Sequence, residues 1–220
     1  MRRARVAALP AVALATVLVG CGAKTADYSS IWTTPTSPTE TTKEDAPKER
    51  PVPIAEHLAG LGVTGEQVRV DALKDLTVTL PRPAGWTRYA NPNFSPGTEA
   101  IAKNNTYPTA MVMVFKLSGN FDVAEALKHA DADAELSKDF KKLNSSKDDF
   151  KGFPSSMIEG SYDFKGTRLH AYNRIVIPVT PGPAFQRYLV QFTVTTLANQ
   201  AAAAAPEVQQ VINGFTVAVR

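Results

Sequence analysis

The run DLTVTLPRPAGW, residues Asp75 to Trp86, decides the fold reading. Leu76, Val78 and Leu80 alternate with Thr77 and Thr79. A period of two with one apolar side predicts a strand with one face on a core and the other near water. Pro81 and Pro83 stop it, because proline has no backbone donor for a ladder. Gly85 and Trp86 then suit a turn followed by a buried anchor.

Working upstream, PIAEHLAGLG (53–62) sets Ile54, Ala55, Leu58 and Leu61 at helical spacing and stops near Gly60 or Gly62. Downstream, AMVMVFKL (110–117) sets Met111, Met113, Phe115 and Leu117 against Val112, Val114 and Lys116. With both faces apolar, it reads as a central strand. NFDVAEALKHADADAELSKDF (120–140) reads as one helix. Asp122 and Glu125 form a capping box, and Val123, Leu127, Ala130 and Ala134 make its apolar stripe. SMIEGSYDF, TRLHAYNRIVIPV and FQRYLVQFTVTTL follow as strands. DFKG occurs at 149–152 and at 163–166, and the second copy reads as a hairpin turn. TPGPA (180–184) is a further turn. A helix is expected from Pro206 to Asn213-Gly214, then a last strand in FTVAV. Helices beside a run of antiparallel strands define an α+β domain.

The domain is expected over residues 53–220, behind two other segments. Residues 1–20 carry Arg2, Arg3 and Arg5 and then fourteen apolar or small residues, VAALPAVALATVLV. That is a signal-peptide pattern, too short for the roughly 20 residues a membrane helix needs. Leu18, Val19, Gly20 and Cys21 form a lipobox. Cleavage between Gly20 and Cys21 would leave a lipidated cysteine, palmitate among its acyl chains, as first residue of the mature chain. The anchor would hold the protein at the extracytoplasmic face of the cell membrane, because two acyl chains give stable attachment, with the cell wall or a secreted form as alternative locations. Residues 21–52 join this anchor to the domain. They are rich in Thr, Ser, Pro, Lys and Glu and too poor in apolar residues to fold, so an extended tether is expected. TTPTSPTETT (33–42) has the composition of a glycosylated stalk.

The 220-residue chain has a formal charge of +3 and a pI near 8.9. Without the three leader arginines, 21 basic residues face 21 acidic ones. The basicity belongs to the precursor and is no evidence for nucleic-acid binding, which needs a basic face on the folded domain, so no nucleic-acid partner is expected. A lone cysteine excludes internal disulfides and Cys-rich zinc sites.

No catalytic, metal or cofactor motif emerges. His57, His129 and His170 fall in no ligand spacing. Asp131, Asp133 and Glu135 alternate along a helix and lack the glycine of a calcium loop. There is no GxSxG, GLGVTG (60–65) is no phosphate loop, and Ser155 and Ser156 have no suggestive neighbours. Glu159 with Asp163, and Asp148 with Asp149, are carboxylate pairs without geometry. Met111, Met113, Phe115, Tyr162, Tyr172, Tyr188 and Phe192 would line either a ligand cavity or a plain core. Sequence leaves both open.

An acylated cysteine, a Thr/Pro tether, IAEHLAGLGVTGEQV and a strand running into LPRPAGW together resemble the mycobacterial LpqN/LpqT lipoproteins. The Leu76 to Trp86 element also resembles the wider Mog1/PsbP-like fold. The likeness spans about residues 52–220 and departs at His57, where these families often carry an aromatic. It implies an α/β/α sandwich with a curved, mainly antiparallel sheet in an actinobacterial cell envelope. It implies no catalytic residue. The expected role is non-enzymatic: binding an envelope amphiphile such as a glycolipid, or assisting its transport or assembly. The alternative is a protein-interaction module facing envelope or host proteins.

Overall fold

The structure is a computed structural model and describes residues 50–220. Leu18, Val19, Gly20, Cys21, the rest of the leader and the tether through residue 49 therefore lie outside the described residues.

The chain opens with α1 (Ile54–Gly60), then β1 (Thr64–Val68). The DLTVTL run forms β2 (Leu76–Thr79), and Trp86 opens β3 (Trp86–Arg88). Leu76, Val78, Leu80 and Trp86 are all buried, as the alternation requires. β4 (Glu99–Lys103) turns through Asn104 and Asn105, both at positive φ, into β5 (Thr106–Ser118). Two short helices follow, α2 (Val123–Lys128) and α3 (Ala132–Glu135). Then come β6 (Lys141–Ser146), β7 (Ser155–Phe164), β8 (Thr167–Val176) and β9 (Arg187–Leu197). α4 (Ala201–Gly214) and β10 (Thr216–Val219) end the chain.

The main sheet is antiparallel, in the order β3-β4-β5-β9-β8-β7-β6. β5 is long enough to serve two partners along one edge. β4 pairs its Thr106–Val112 half and β1 its Val114–Ser118 half. β2 pairs with β10 in a separate two-stranded sheet, so residues 76–79 meet residues 216–219.

Each face of the main sheet carries its own core. On one side β2, β10 and α4 cover Val112, Val114, Val190, Phe192 and Val194. Phe215 stacks on Phe192 at 4.1 Å between ring centres. On the other side α1 and α2 cover Met113, Phe115, Leu117, Ile177 and Leu189. Apolar burial on two faces of one sheet supplies the main driving force.

The structure departs from the sequence expectations in several places. The helix over 120–140 breaks after Lys128, where His129 caps α2 and the Asp131 side chain is drawn to the sheet. Asp122 Oδ1 does accept from the Glu125 amide at 2.8 Å, so one half of the capping box forms. Glu125 instead reaches forward to Lys128. The C-terminal helix begins at Ala201, five residues before Pro206. The alanine run favours helix strongly enough to carry the proline inside. Leu61 lies beyond the end of α1 and is 52% exposed. β1 and β6 are strands that periodicity did not signal, since TGEQV and KKLNSS bury no alternating apolar set, and the short β3 and β4 were not expected either.

Both DFKG copies make the same turn. Lys165 and Gly166 have φ of 49° and 79°, Lys151 and Gly152 of 55° and 83°. The second joins Phe164 to Thr167 across the β7–β8 hairpin. The first joins Phe150 to Phe153, with amide-to-carbonyl bonds of 2.8 and 3.1 Å. Two successive left-handed residues define a type I′ turn, whose twist matches that of paired strands.

Candidate functional site

α1 and α2 cover only the β1 half of their face. Over the other half lies a cavity of about 600 Å³. Pairing register builds its floor. Ala100, Met111, Thr193, Asn173 and Ile158 form one cross-strand row through β4, β5, β9, β8 and β7. Thr109, Thr195 and Ala171 form the next. Thr193 Oγ1 donates to Asn173 Oδ1 at 2.9 Å. Gln191 joins this polar floor.

Aromatic residues stand around it. Tyr89, Phe94 and Tyr107 rise on the β3–β4 side, and Phe140, Tyr162 and Phe164 on the β7 side. Tyr89 and Phe94 meet edge to face at 5.8 Å. Phe140 crosses directly over Gly160, where a methyl group would sit 2.5 Å from its ring and 2.7 Å from the Lys141 carbonyl oxygen. Glycine is required there by this close approach.

One wall is charged. Ser156 is 1% exposed and donates to Asp131 Oδ1 at 2.6 Å. Lys147 Nζ donates to Asp131 Oδ2 at 2.8 Å, to Ser156 Oγ at 2.7 Å and to the Leu127 carbonyl at 3.2 Å. All three ammonium protons have acceptors, so the network closes on itself. It ties the break between α2 and α3 to β7 and fixes that wall of the cavity.

The candidate lining residues divide by face. Met111 and Tyr162 line the cavity. Met113 and Phe115 lie in the core beneath α1 and α2. Tyr172, Tyr188 and Phe192 lie in the opposite core. Asp131 and Asp133 reach the cavity wall. Glu159 and Asp163 do not pair with each other: Glu159 meets His170 at 3.1 Å and Asp163 meets Arg168 at 3.0 Å. The Arg168 hydrogen bond holds the Asp163 carboxyl below its ordinary pKa. Ser155 donates to the Asp148 carbonyl and accepts from Arg174, away from the cavity. Among the described residues no group of three His, Cys, Asp or Glu could hold a metal. No helix among them is long and apolar enough to cross a membrane.

The polar floor residues Thr109, Asn173, Gln191, Thr193 and Thr195 were missed in sequence. Their signal lies in FQRYLVQFTVTTL. A strand flanked on both sides, yet alternating Val190, Phe192 and Val194 with Gln191, Thr193 and Thr195, has one face without a covering layer.

The curved antiparallel sheet with helices on both faces and a cavity left beneath one of them defines a class of small sandwich domains. The chain belongs to the LpqN lipoprotein family: the family model described as "Probable lipoprotein LpqN" matches residues 50–218. It is 54% identical over 213 residues to the lipoprotein LpqT of Mycobacterium tuberculosis, covering 96% of this chain and 93% of LpqT. Its fold matches the crystal structure of LpqN of Mycobacterium tuberculosis with a TM-score of 0.65 at 18% identity, over 76% of this chain and 97% of LpqN. That relative is described as involved in cell envelope biogenesis. A weaker likeness, TM-score 0.42 at 12% identity, is to cyanobacterial PsbP from Synechocystis, over 67% of this chain and 95% of that one.

Proposed function

We propose that this chain is a non-enzymatic lipoprotein, anchored through Cys21 at the extracytoplasmic face of the membrane, whose cavity binds an amphiphilic, glycolipid-like envelope molecule. On this reading it assists the transport or assembly of that molecule. The carrying observation is the mixed character of the cavity. Hydroxyl and amide groups of Thr109, Asn173, Gln191, Thr193 and Thr195 line the floor, and aromatic rings stand at the rim. Hydroxyl-rich headgroups exchange hydrogen bonds with such groups, and an acyl chain packs on rings and Met111. The volume lies within the range of small-molecule sites. Membership in a lipoprotein family supports the anchor, and the envelope role described for LpqN supports the setting.

Sub-micellar n-dodecyl-β-maltoside and dodecanoate, titrated against the melting temperature, test it. The maltoside should raise Tm, because a ligand of the folded state stabilises by mass action. Thr195→Trp, which fills the floor, should abolish the rise while leaving the unliganded chain folded. No rise with either amphiphile overturns the reading. An equal rise with both rejects recognition of the sugar.

A further inference from the structure

The loop between β8 and β9 lies at the far end of the sheet from the cavity. From the Leu117–Arg187 pair to the Thr109–Thr195 pair is eight residues, about 26 Å along a strand. Residues 179–185 read VTPGPAF and contain no charge. Pro181 through Phe185 are all exposed, Phe185 to 67%, and Val179 to 37%.

The base of this loop is rigid. Val179 bridges Arg187 across it. Thr180, 3% exposed, donates its amide to the Gln186 carbonyl at 2.9 Å and accepts the Gln186 amide on Oγ1 at 3.0 Å. Gln186 Nε2 donates to the carbonyls of Leu117 and Arg187 at 2.8 and 2.7 Å. Phe185 has φ of 42°, a left-handed conformation that a bulky residue adopts only when its surroundings impose it. Its ring caps Gly182, where a methyl would stand 3.0 Å from the ring edge. The fold thus spends backbone strain to hold a large apolar side chain out in solvent, where the domain core gains nothing from it.

The same end carries a second apolar point. Leu61 follows α1, and Val63 packs against Gly119 just beyond β5, next to the Leu117 carbonyl that holds Gln186. Cations flank both points. Lys116 is exposed, and the Arg187 guanidinium lies 4.9 Å from the centre of the Phe121 ring. The acids nearby are Glu66, opposite Lys116 on β1, Asp75, which accepts from the Tyr188 hydroxyl, and Asp122, engaged as the α2 cap.

We infer that the Val179–Phe185 loop, with Leu61 at the same end of the sheet, is a wedge that enters the interface of the bilayer to which the chain is anchored. An uncharged tip with an exposed aromatic, behind a collar of Lys and Arg, matches the layering of an anionic membrane surface: apolar groups below the headgroups, cations among the phosphates. The chain length supports this occupant. Thirty residues separate Cys21 from Val52, and a coil of that length spans about 30 Å. α1 adds only about 10 Å between that junction and the Leu61 end. An anchor therefore confines the wedge to a thin layer above the bilayer, where even a weak contact is populated. The inference takes its occupant from the anchor, but its test does not depend on acylation.

The test uses the mature-length chain with Cys21→Ser, so that no acyl chain contributes. It is floated with vesicles of phosphatidylcholine and phosphatidylglycerol at about 7:3, and with phosphatidylcholine alone. The parent should float with the anionic vesicles, and Phe185→Asp should lower the bound fraction at least about five-fold. Phe185 has no partner in the core, so the variant should melt with the parent and bind dodecyl maltoside equally. Phe185→Trp should add a blue-shifted emission that brominated acyl chains quench. A parent that fails to float, a Phe185→Asp chain that floats equally well, or an added indole emission in Phe185→Trp that brominated lipid leaves unquenched overturns the inference. Failure of the cavity reading would appear only in the maltoside titration.

Discussion

The imidazole of His57 on α1 stacks on that of His129 at the end of α2, with ring centres 4.0 Å apart and planes 17° from parallel. His129 Nδ1 lies 3.0 Å from the carbonyl oxygen of Val52, just before α1. His57 Nε2 is buried with no hydrogen-bond partner. The pair thus joins the start of the domain to the helix whose continuation, Ala130 and Asp131, forms the cavity wall.

Burial lowers the pKa of His57, the neighbouring His129 lowers it further, and Glu125 opposes both. In the folded state His57 stays neutral at a pH where a free histidine, with pKa near 6.5, already takes up a proton. The unfolded chain then binds more protons, so stability falls as pH drops below about 6.5 and levels off once the folded state also titrates. Thermal melts between pH 7.5 and 5.5 should show Tm decreasing with acid. His57→Phe, which keeps the stack and removes the proton site, should flatten that slope. An unchanged slope in the variant would rule out His57 as its source.

Tyr188, buried in the core beneath α4, donates its hydroxyl to Asp75 Oδ1 at 2.8 Å. Burial, then the Asp75 hydrogen bond, push the phenol up to about 12. This bond ties β9 to the residue that opens the DLTVTL run. Tyr188→Phe should cost about 1–2 kcal/mol, seen as a lower denaturant midpoint with unchanged slope. The phenol should also stay protonated through pH 11 in ultraviolet titration of the folded protein.

Lysine is a poor choice for the first left-handed position of a type I′ turn, where asparagine is preferred. Lys165→Asn should therefore stabilise the β7–β8 hairpin by roughly 0.5–1 kcal/mol, since a non-glycine residue other than Asn or Asp is strained there. Gly166→Ala, at φ 79°, should destabilise by about 1 kcal/mol. Chemical denaturation of the two variants reads opposite signs. The same sign for both would contradict the turn assignment.

Gly160→Ala should be more damaging than a surface methyl normally is. The added carbon meets Phe140 at 2.5 Å and the Lys141 carbonyl oxygen at 2.7 Å. Overpacking of this kind costs about 1–3 kcal/mol. Because Phe140 is a cavity wall, the variant should also weaken amphiphile binding. Gly60→Ala, in open space and not at positive φ, controls for the loss of a glycine alone.

Alternation made β2 and β7 to β9 legible in sequence and a run apolar on both faces made β5 so, because each buries at least one face. β1 and β6 were not, since Thr64–Val68 and Lys141–Ser146 join the sheet through backbone pairing while their side chains stay largely outside the core. The break in the 120–140 helix was invisible because its cause is tertiary: Asp131 is drawn to Lys147 and Ser156, residues 16 and 25 positions away. The cavity was half legible. Met111 and Tyr162 were among the candidates, but their cavity-side partners were the threonines and amides of β9 and β8, which carry no motif. Only the register of three strands brings Met111, Thr193 and Asn173 into one row.

β6 forms an outer edge of the sheet, and its first five residues are exposed. Lys141 and Lys142 stand on it, and a register shift between Lys142 and Asn144 interrupts its ladder. An open edge is a template for strand addition by a second copy. For a protein dispersed in three dimensions that hazard scales with bulk concentration. Lipid anchoring would confine copies to a plane, where they meet side by side far more often and in similar orientation. Two lysines and a bulge on the exposed strand are then a condition for crowding on that plane without zipping into ribbons.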